Sequence, residues 1–212
     1  MQPQLQELKR KLRHETVFIV GGGKSLQSVD FKRLQDELTI CINDAYRFFP
    51  NATALFWVDD SWISEHYDSV MAHNCQLRFT SKHSQAMPFD MNNNPKGIAN
   101  SCILARTGDF GYDKNYNCVM GNNSGTQALN LAVNMKPKTI VLLGYDMKTT
   151  GHFHDGKRPV ITQDIYRDLF IPSTNALADG IKAANVEIDI VNANPDSGLN
   201  CFRFDDYTNY LK

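Results

Sequence analysis

Glutamate is scarce in this 212-residue chain: 5 Glu stand against 18 Asp, alongside 19 Asn. Net charge is also scarce, at −1. That balance excludes a broad electrostatic surface for nucleic acid or anionic lipid. No like-charge block suggests a disordered tail. No apolar run reaches the length of about 18 residues that a membrane span needs. Residues 1–13 are polar and lack the apolar centre of a signal peptide, so the expected compartment is the cytoplasm. The five cysteines (Cys41, Cys75, Cys102, Cys118 and Cys201) form no CxxC pair. They read as buried thiols in a reducing compartment rather than a zinc or disulfide framework. No internal repeat is present. The length predicts one domain over residues 1–212.

What is present is a series of short apolar runs that end abruptly. TVFIV (Thr16–Val20) stops at Gly21-Gly22-Gly23, and LTICI (38–42) stops at Asn43-Asp44. ALFWV (54–58) stops at Asp59-Asp60, TIVLL (Thr139–Leu143) at Gly144-Tyr145-Asp146, and VEIDIV (186–191) at Asn192. A further strand is expected at 76–80. Helical spacing predicts helices over 5–12, 30–38, 61–72, 124–135 and 173–184, the last with Ser173 as its N-cap. Residues 87–117, with Asn92-Asn93-Asn94-Pro95, read as an irregular insert, either a loop region or irregular strands over the site. Strands alternating with helices predict an α/β, Rossmann-like fold, with a mostly parallel sheet and helices on both faces. Ligands of such sheets bind outside the carboxyl ends of the strands. The Asp and Asn excess gathers partly there, where polar residues build sites or simply cap and turn.

Gly21, Gly22, Gly23, Lys24 and Ser25 suggest a phosphate loop, but the GxxxxGK[ST] pattern would need glycine at Phe18. The dinucleotide fingerprint would need its third glycine at Leu26. What remains is a glycine turn after a strand, which either holds a phosphate or ribose or is a tight connection. Asn123, Ser124, Gly125 and Thr126 open a helix, and either cap it or offer donors to a nucleotide. Asp59 and Asp60 suit a divalent cation such as Mg2+, or a helix cap. Asp146 is placed to accept from ribose hydroxyls or to take a proton. His152 and His154 lie two apart in a polar loop and suit a general base or phosphate donor, the alternative being a solvated surface loop. Lys157 and Arg158 follow and suit a phosphate. His14, His66, His73 and His83 suggest no role.

GGGKSLQSVDFKRL, IND, FWVDD and NNSGTQALNLAVNMKPKTIVLLGYDM, in that order, resemble a family of Rossmann-like proteins. The family includes bacterial lipooligosaccharide sialyltransferases, 6-hydroxymethylpterin diphosphokinase-like proteins and phage proteins. The resemblance spans residues 17–191. It implies a nucleotide held by Gly21, Gly23, Ser25, Asn43, Ser124 and Gly125, with Asp146 near the ribose or the reacting centre. The sialyltransferases carry a histidine just before the helix that follows the GxD strand. Here that place reads FIPSTN (170–175), without histidine. The GHFHDG loop (151–156) looks like that of the phage branch.

The expected function is therefore transfer from a nucleotide-activated donor, foremost a nucleotide sugar, to an unknown acceptor. His152 or His154 would deprotonate the acceptor. Magnesium-dependent diphosphate transfer from ATP is a second reading. A non-catalytic nucleotide-binding or phage interaction protein is a third.

Overall fold

The computed structural model describes residues 2–75, 77–83, 101–149, 153 and 162–212. The chain opens with α1 (Pro3–Leu12), whose Leu5, Leu8 and Leu12 are buried. Proline at its start and Lys9, Arg10 and Lys11 in its last turn suit the two ends of a helix. Among the described residues nine strands follow: β1 (Thr16–Val20), β2 (Thr39–Ile42), β3 (Ala54–Trp57), β4 (Arg78–His83), β5 (Cys102–Gly108), β6 (Cys118–Met120), β7 (Thr139–Leu143), β8 (Asp189–Asn192) and β9 (Arg203–Phe204). They form one sheet in the order β6-β5-β4-β3-β2-β1-β7-β8-β9. Every pairing is parallel.

The expected α/β, Rossmann-like class is thus the observed one. Strands β2, β3 and β7 are buried at every position, as central parallel strands covered on both faces must be. The principal helices are α2 (Asp60–Ala72), α3 (Ser124–Asn134) and α4 (Ile171–Ala183). Arg78, only 5% exposed, donates to the carbonyls of Val70 at 3.1 Å and His73 at 3.0 Å. A buried guanidinium thereby satisfies the last carbonyls of α2, at the negative end of its dipole. Among the described residues no helix is long and apolar enough to cross a membrane.

The stretch 87–117 contains β5, which is buried at only some positions, so its apolar pattern is weak. Three sequence expectations shift. The helix expected over 30–38 is only a 3-10 turn, Phe31–Leu34, capped by the Asp30 carboxylate, which accepts from the Lys32 amide at 3.0 Å. The last long strand starts at Asp189 rather than Val186. Ser173 is no N-cap: helix begins with a turn at Gln163–Ile165, passes through a π-helical stretch Tyr166–Phe170, and continues as α4. Pro172 supplies the reason. Its ring crowds the carbonyl four residues back and removes an amide donor, and the wider π turn accommodates both.

Strand order reverses between β1 and β7. The first six strands run outward on one side of that line, and β7, β8 and β9 on the other. The register pairs Val20 with Leu143, which sets Gly21 beside Gly144.

Candidate active site

The carboxyl ends of β1, β2, β3 and β7 surround a cavity of about 780 Å³. It sits at the strand-order reversal, the ligand crevice of open α/β sheets. Its walls hold Gly21, Gly22, Gly23, Asn43, Asp59, Asn123, Ser124, Gly125 and Asp146. The structure therefore brings together residues spread over 126 positions of sequence (Gly21 to Asp146). Lys24, Ser25, Asp60 and Thr126 are not among the lining residues.

The glycine turn is locked to the β7 turn. The Gly21 amide donates to the Leu143 carbonyl at 2.8 Å, and the Gly23 amide to the Gly144 carbonyl at 2.9 Å. Ser25 donates its amide to Asp146 Oδ2 at 2.9 Å and its hydroxyl to Asp146 Oδ1. Asn194 Nδ2 donates to the same Oδ1 at 3.0 Å. The close approach needs glycine twice. A Cβ on Gly23 would lie 2.4 Å from the Asp146 carboxyl carbon, and Gly144 has φ +69°. The sequence pattern leaves the glycine turn open to a phosphate or ribose or to a tight connection; in the fold, the amides of Gly21, Gly23 and Ser25 bond across to the β7 turn. Asp146, 7% exposed, spends its carboxylate the same way. Its geometry is that of a positioning residue.

The N-terminus of α3 is differently arranged. Asn123 is the N-cap: its Oδ1 accepts from the Thr126 amide at 2.9 Å, and its Nδ2 donates to Thr126 Oγ1 at 2.9 Å. Thr126 Oγ1 also bonds Thr174 Oγ1 at 2.8 Å, fastening α3 to α4. The hydroxyl of Thr126 is thus consumed by the cap. Ser124 and Gly125 line the cavity, and the first turn of α3 carries no acid. No acidic side chain in that turn offsets the positive end of the helix dipole. Tyr145 packs its ring against Gly125 and donates its hydroxyl to the Gly125 carbonyl at 3.0 Å. Burial pushes the Tyr145 phenol up. Burial also raises Tyr166, with the Asp146 charge adding to it. Both phenols stay neutral donors at physiological pH.

A further group on the cavity wall joins Asp44, at the strand end that the sequence marked, to side chains that it did not. Asp44, 2% exposed, accepts from Trp62 Nε1 at 3.1 Å. Its other oxygen lies 3.4 Å from Arg47 and 3.5 Å from His66 Nε2. His66 stacks on the Trp62 indole at 4.8 Å and 23°. All four residues line the cavity. Two local signals point to it: Trp62 and His66 share a helix face at i, i+4, and Asp44 and Arg47 lie three apart on one turn. Asn43 beside them has φ +50° and a buried Oδ1 without a hydrogen-bond partner among the described residues.

Asp59 and Asp60 divide their roles. Asp59 lines the cavity, whereas Asp60 opens α2 and pairs with Lys82. Among the described residues, no group of three or more His, Cys, Asp or Glu side chains is placed to hold a metal ion. His152, His154, Lys157 and Arg158 lie outside the described residues. Phe153 is described: its amide donates to the Gly22 carbonyl at 2.9 Å, and its ring meets Phe48 at 4.9 Å and Phe31 at 5.5 Å.

No protein-family model matches the chain, and no curated protein matches it. Its fold does match solved structures. The sialyltransferase CST-II, in complex with a trisaccharide acceptor and CMP, aligns with a TM-score of 0.53 at 15% identity, over 93% of this chain and 85% of that one. The monofunctional alpha-2,3-sialyltransferase Cst-I from Campylobacter jejuni aligns with a TM-score of 0.52 at 13% identity, over 93% of this chain and 79% of that one. At these identities the likeness is one of fold. The diphosphokinase and phage branches of the sequence resemblance find no support in these two structures.

Proposed function

We propose that this chain transfers a sugar from a nucleotide-activated donor to an acceptor hydroxyl, with CMP as the leading candidate for the nucleotide. One observation carries the reading: the cavity at the strand-order reversal also receives the uncompensated N-terminus of α3, in a fold shared with two sialyltransferases. The donor phosphate sits at the amides of Ser124 and Gly125, where helix dipole and backbone donors favour an anion. The glycine turn supplies the close floor, and Asn43 Oδ1 accepts a hydrogen bond from the nucleoside. The neutral phenol of Tyr166 lines the same space and is a donor for the phosphate.

The acceptor oxygen forms a bond to the anomeric carbon as the bond from that carbon to the phosphate oxygen breaks. The acceptor proton passes to a base, and the nucleotide leaves with the bonding electrons. Stabilising the charge that develops on the phosphate is the main task of the α3 terminus.

A thermal-shift panel with CMP, UDP, GDP and ATP, each with Mg2+ and with EDTA, tests this. CMP at about 100 times its Kd adds roughly 2.7 kcal/mol of stability. For a chain of this size that is about 5–10 °C in melting temperature. If no nucleotide raises the melting temperature, the reading fails. A rise with ATP alone that requires magnesium would replace it with diphosphate transfer.

A further inference from the structure

We infer that His66 is the base that receives the acceptor proton, and that Asp44 positions it. The assignment rests on the glycosyl-transfer reading, and names a residue that lines the same cavity as the α3 terminus. His66 belongs to α2, whereas the sequence pointed to the loop after β7.

The hydrogen-bond network fixes which nitrogen does the work. Arg47 Nη2 lies 3.2 Å from His66 Nδ1. A guanidinium only donates, so Nδ1 carries the lone pair and the neutral ring has its proton on Nε2. Nε2 faces the Asp44 carboxylate at 3.5 Å. A buried carboxylate beside one ring nitrogen, with the residue on the cavity wall, is an arrangement that orients an imidazole and stabilises its protonated form. Asp44 is itself held by Trp62 Nε1, and the ring of His66 is clamped against the Trp62 indole, so neither partner rotates freely. Arg47 is the adjustable member, with its side chain 48% exposed. An arriving hydroxyl takes its place at Nδ1. The proton moves from that hydroxyl to Nδ1, the oxygen bonds to the anomeric carbon, and the nucleotide departs. Arg47 then turns its charge toward an anionic group of the donor.

Among the described residues, the groups facing His66 include Asp44 and Arg47 from the turn after β2, the Tyr46 ring from that same turn, and Trp62 from its own helix. Of these four, Asp44 and Arg47 carry charge at neutral pH. Asp44 favours the imidazolium and Arg47 opposes it.

The test is CMP release from CMP-sialic acid with lactose present, followed from pH 5 to 9, together with calorimetric titration of CMP. His66→Asn keeps the volume near the Trp62 ring; melting temperature checks its fold, and His66→Gln serves as a second variant. The expected result is unchanged CMP affinity, a release rate lowered about 100-fold or more, and loss of the acid limb of the pH profile. Asp44→Asn retains more of the rate than the His66 variants and moves the acid limb to lower pH, because the charge that favours the imidazolium is gone. A merely structural Asp44 would leave that limb where it is. If both His66 variants release CMP within threefold of the parent, the assignment is wrong and the transferase reading stands. The assignment is equally wrong if a His152→Ala, His154→Ala double variant loses the acid limb while His66→Asn keeps it. If the parent chain neither binds CMP nor releases it, the transferase reading falls and takes the assignment with it.

Discussion

Ser124→Asp is expected to strengthen the fold and abolish nucleotide binding at once. Ser124 is the first residue of α3, in a first turn without an acid. A carboxylate there meets the positive end of the helix dipole and adds about 0.3–1 kcal/mol of stability. The same carboxylate projects into the cavity that Ser124 lines. Two negative charges about 4 Å apart repel by roughly 4 kcal/mol at an effective dielectric of about 20. That corresponds to about a thousandfold loss of CMP affinity. Melting temperature and calorimetric titration, run on one preparation, read both effects. Unchanged affinity would place the phosphate elsewhere.

Gly23→Val is expected to act in the opposite way, on the fold first. The added Cβ lies 2.4 Å from the Asp146 carboxyl and 2.6 Å from the Gly144 carbonyl oxygen. Both neighbours are held, one by Ser25 and Asn194, the other by the Gly23 amide itself. Overpacking of this kind costs about 1–3 kcal/mol or more. At about 2–4 °C per kcal/mol for a chain of this length, the melting temperature falls by up to roughly 12 °C. Adding Asp146→Ala removes only one of the two clashes, so the double variant does not recover the parent stability. Full recovery would show that the Gly144 carbonyl moves aside freely. A stable Gly23→Val that merely failed to bind nucleotide would show that the glycine serves ligand approach rather than the lock between the turns.

The architecture is legible in the sequence because short β-branched runs end in Gly, Asn or Asp where parallel strands end. Burial on both faces makes those runs continuous, so Thr16–Val20 and Thr139–Leu143 stand out without any periodicity. Strand β9 is two exposed residues and leaves no such mark. Half of the site is legible for the same reason: Gly21, Asn43, Ser124 and Asp146 mark element ends. Their division of labour is not. Ser25 and Asp146 turn inward on each other across 121 positions, and nothing local announces that pairing. Composition places Asp and Asn at the strand ends without saying which face a ligand and which fasten the turns. His66 is silent in the sequence because its carboxylate partner lies on a different element, 22 residues upstream. An imidazole on an amphipathic helix carries no signal until the fold sets Asp44 behind it.

The near-zero net charge gains a physical meaning from this arrangement. The site proposed for the nucleotide relies on the dipole and amides of α3 more than on basic side chains. Arg47 and Lys148 line the same cavity, but they share it with Asp44, Asp59, Glu65 and Asp146. Binding built this way should depend only weakly on ionic strength, unlike binding to a basic surface.

The most direct test is a crystal structure of the chain with CMP. The phosphate is expected within hydrogen-bond distance of the Ser124 and Gly125 amides, with the nucleoside beside Asn43 and the glycine turn. A phosphate bound elsewhere, or a cavity that stays free of CMP at saturating concentration, would contradict the proposed site.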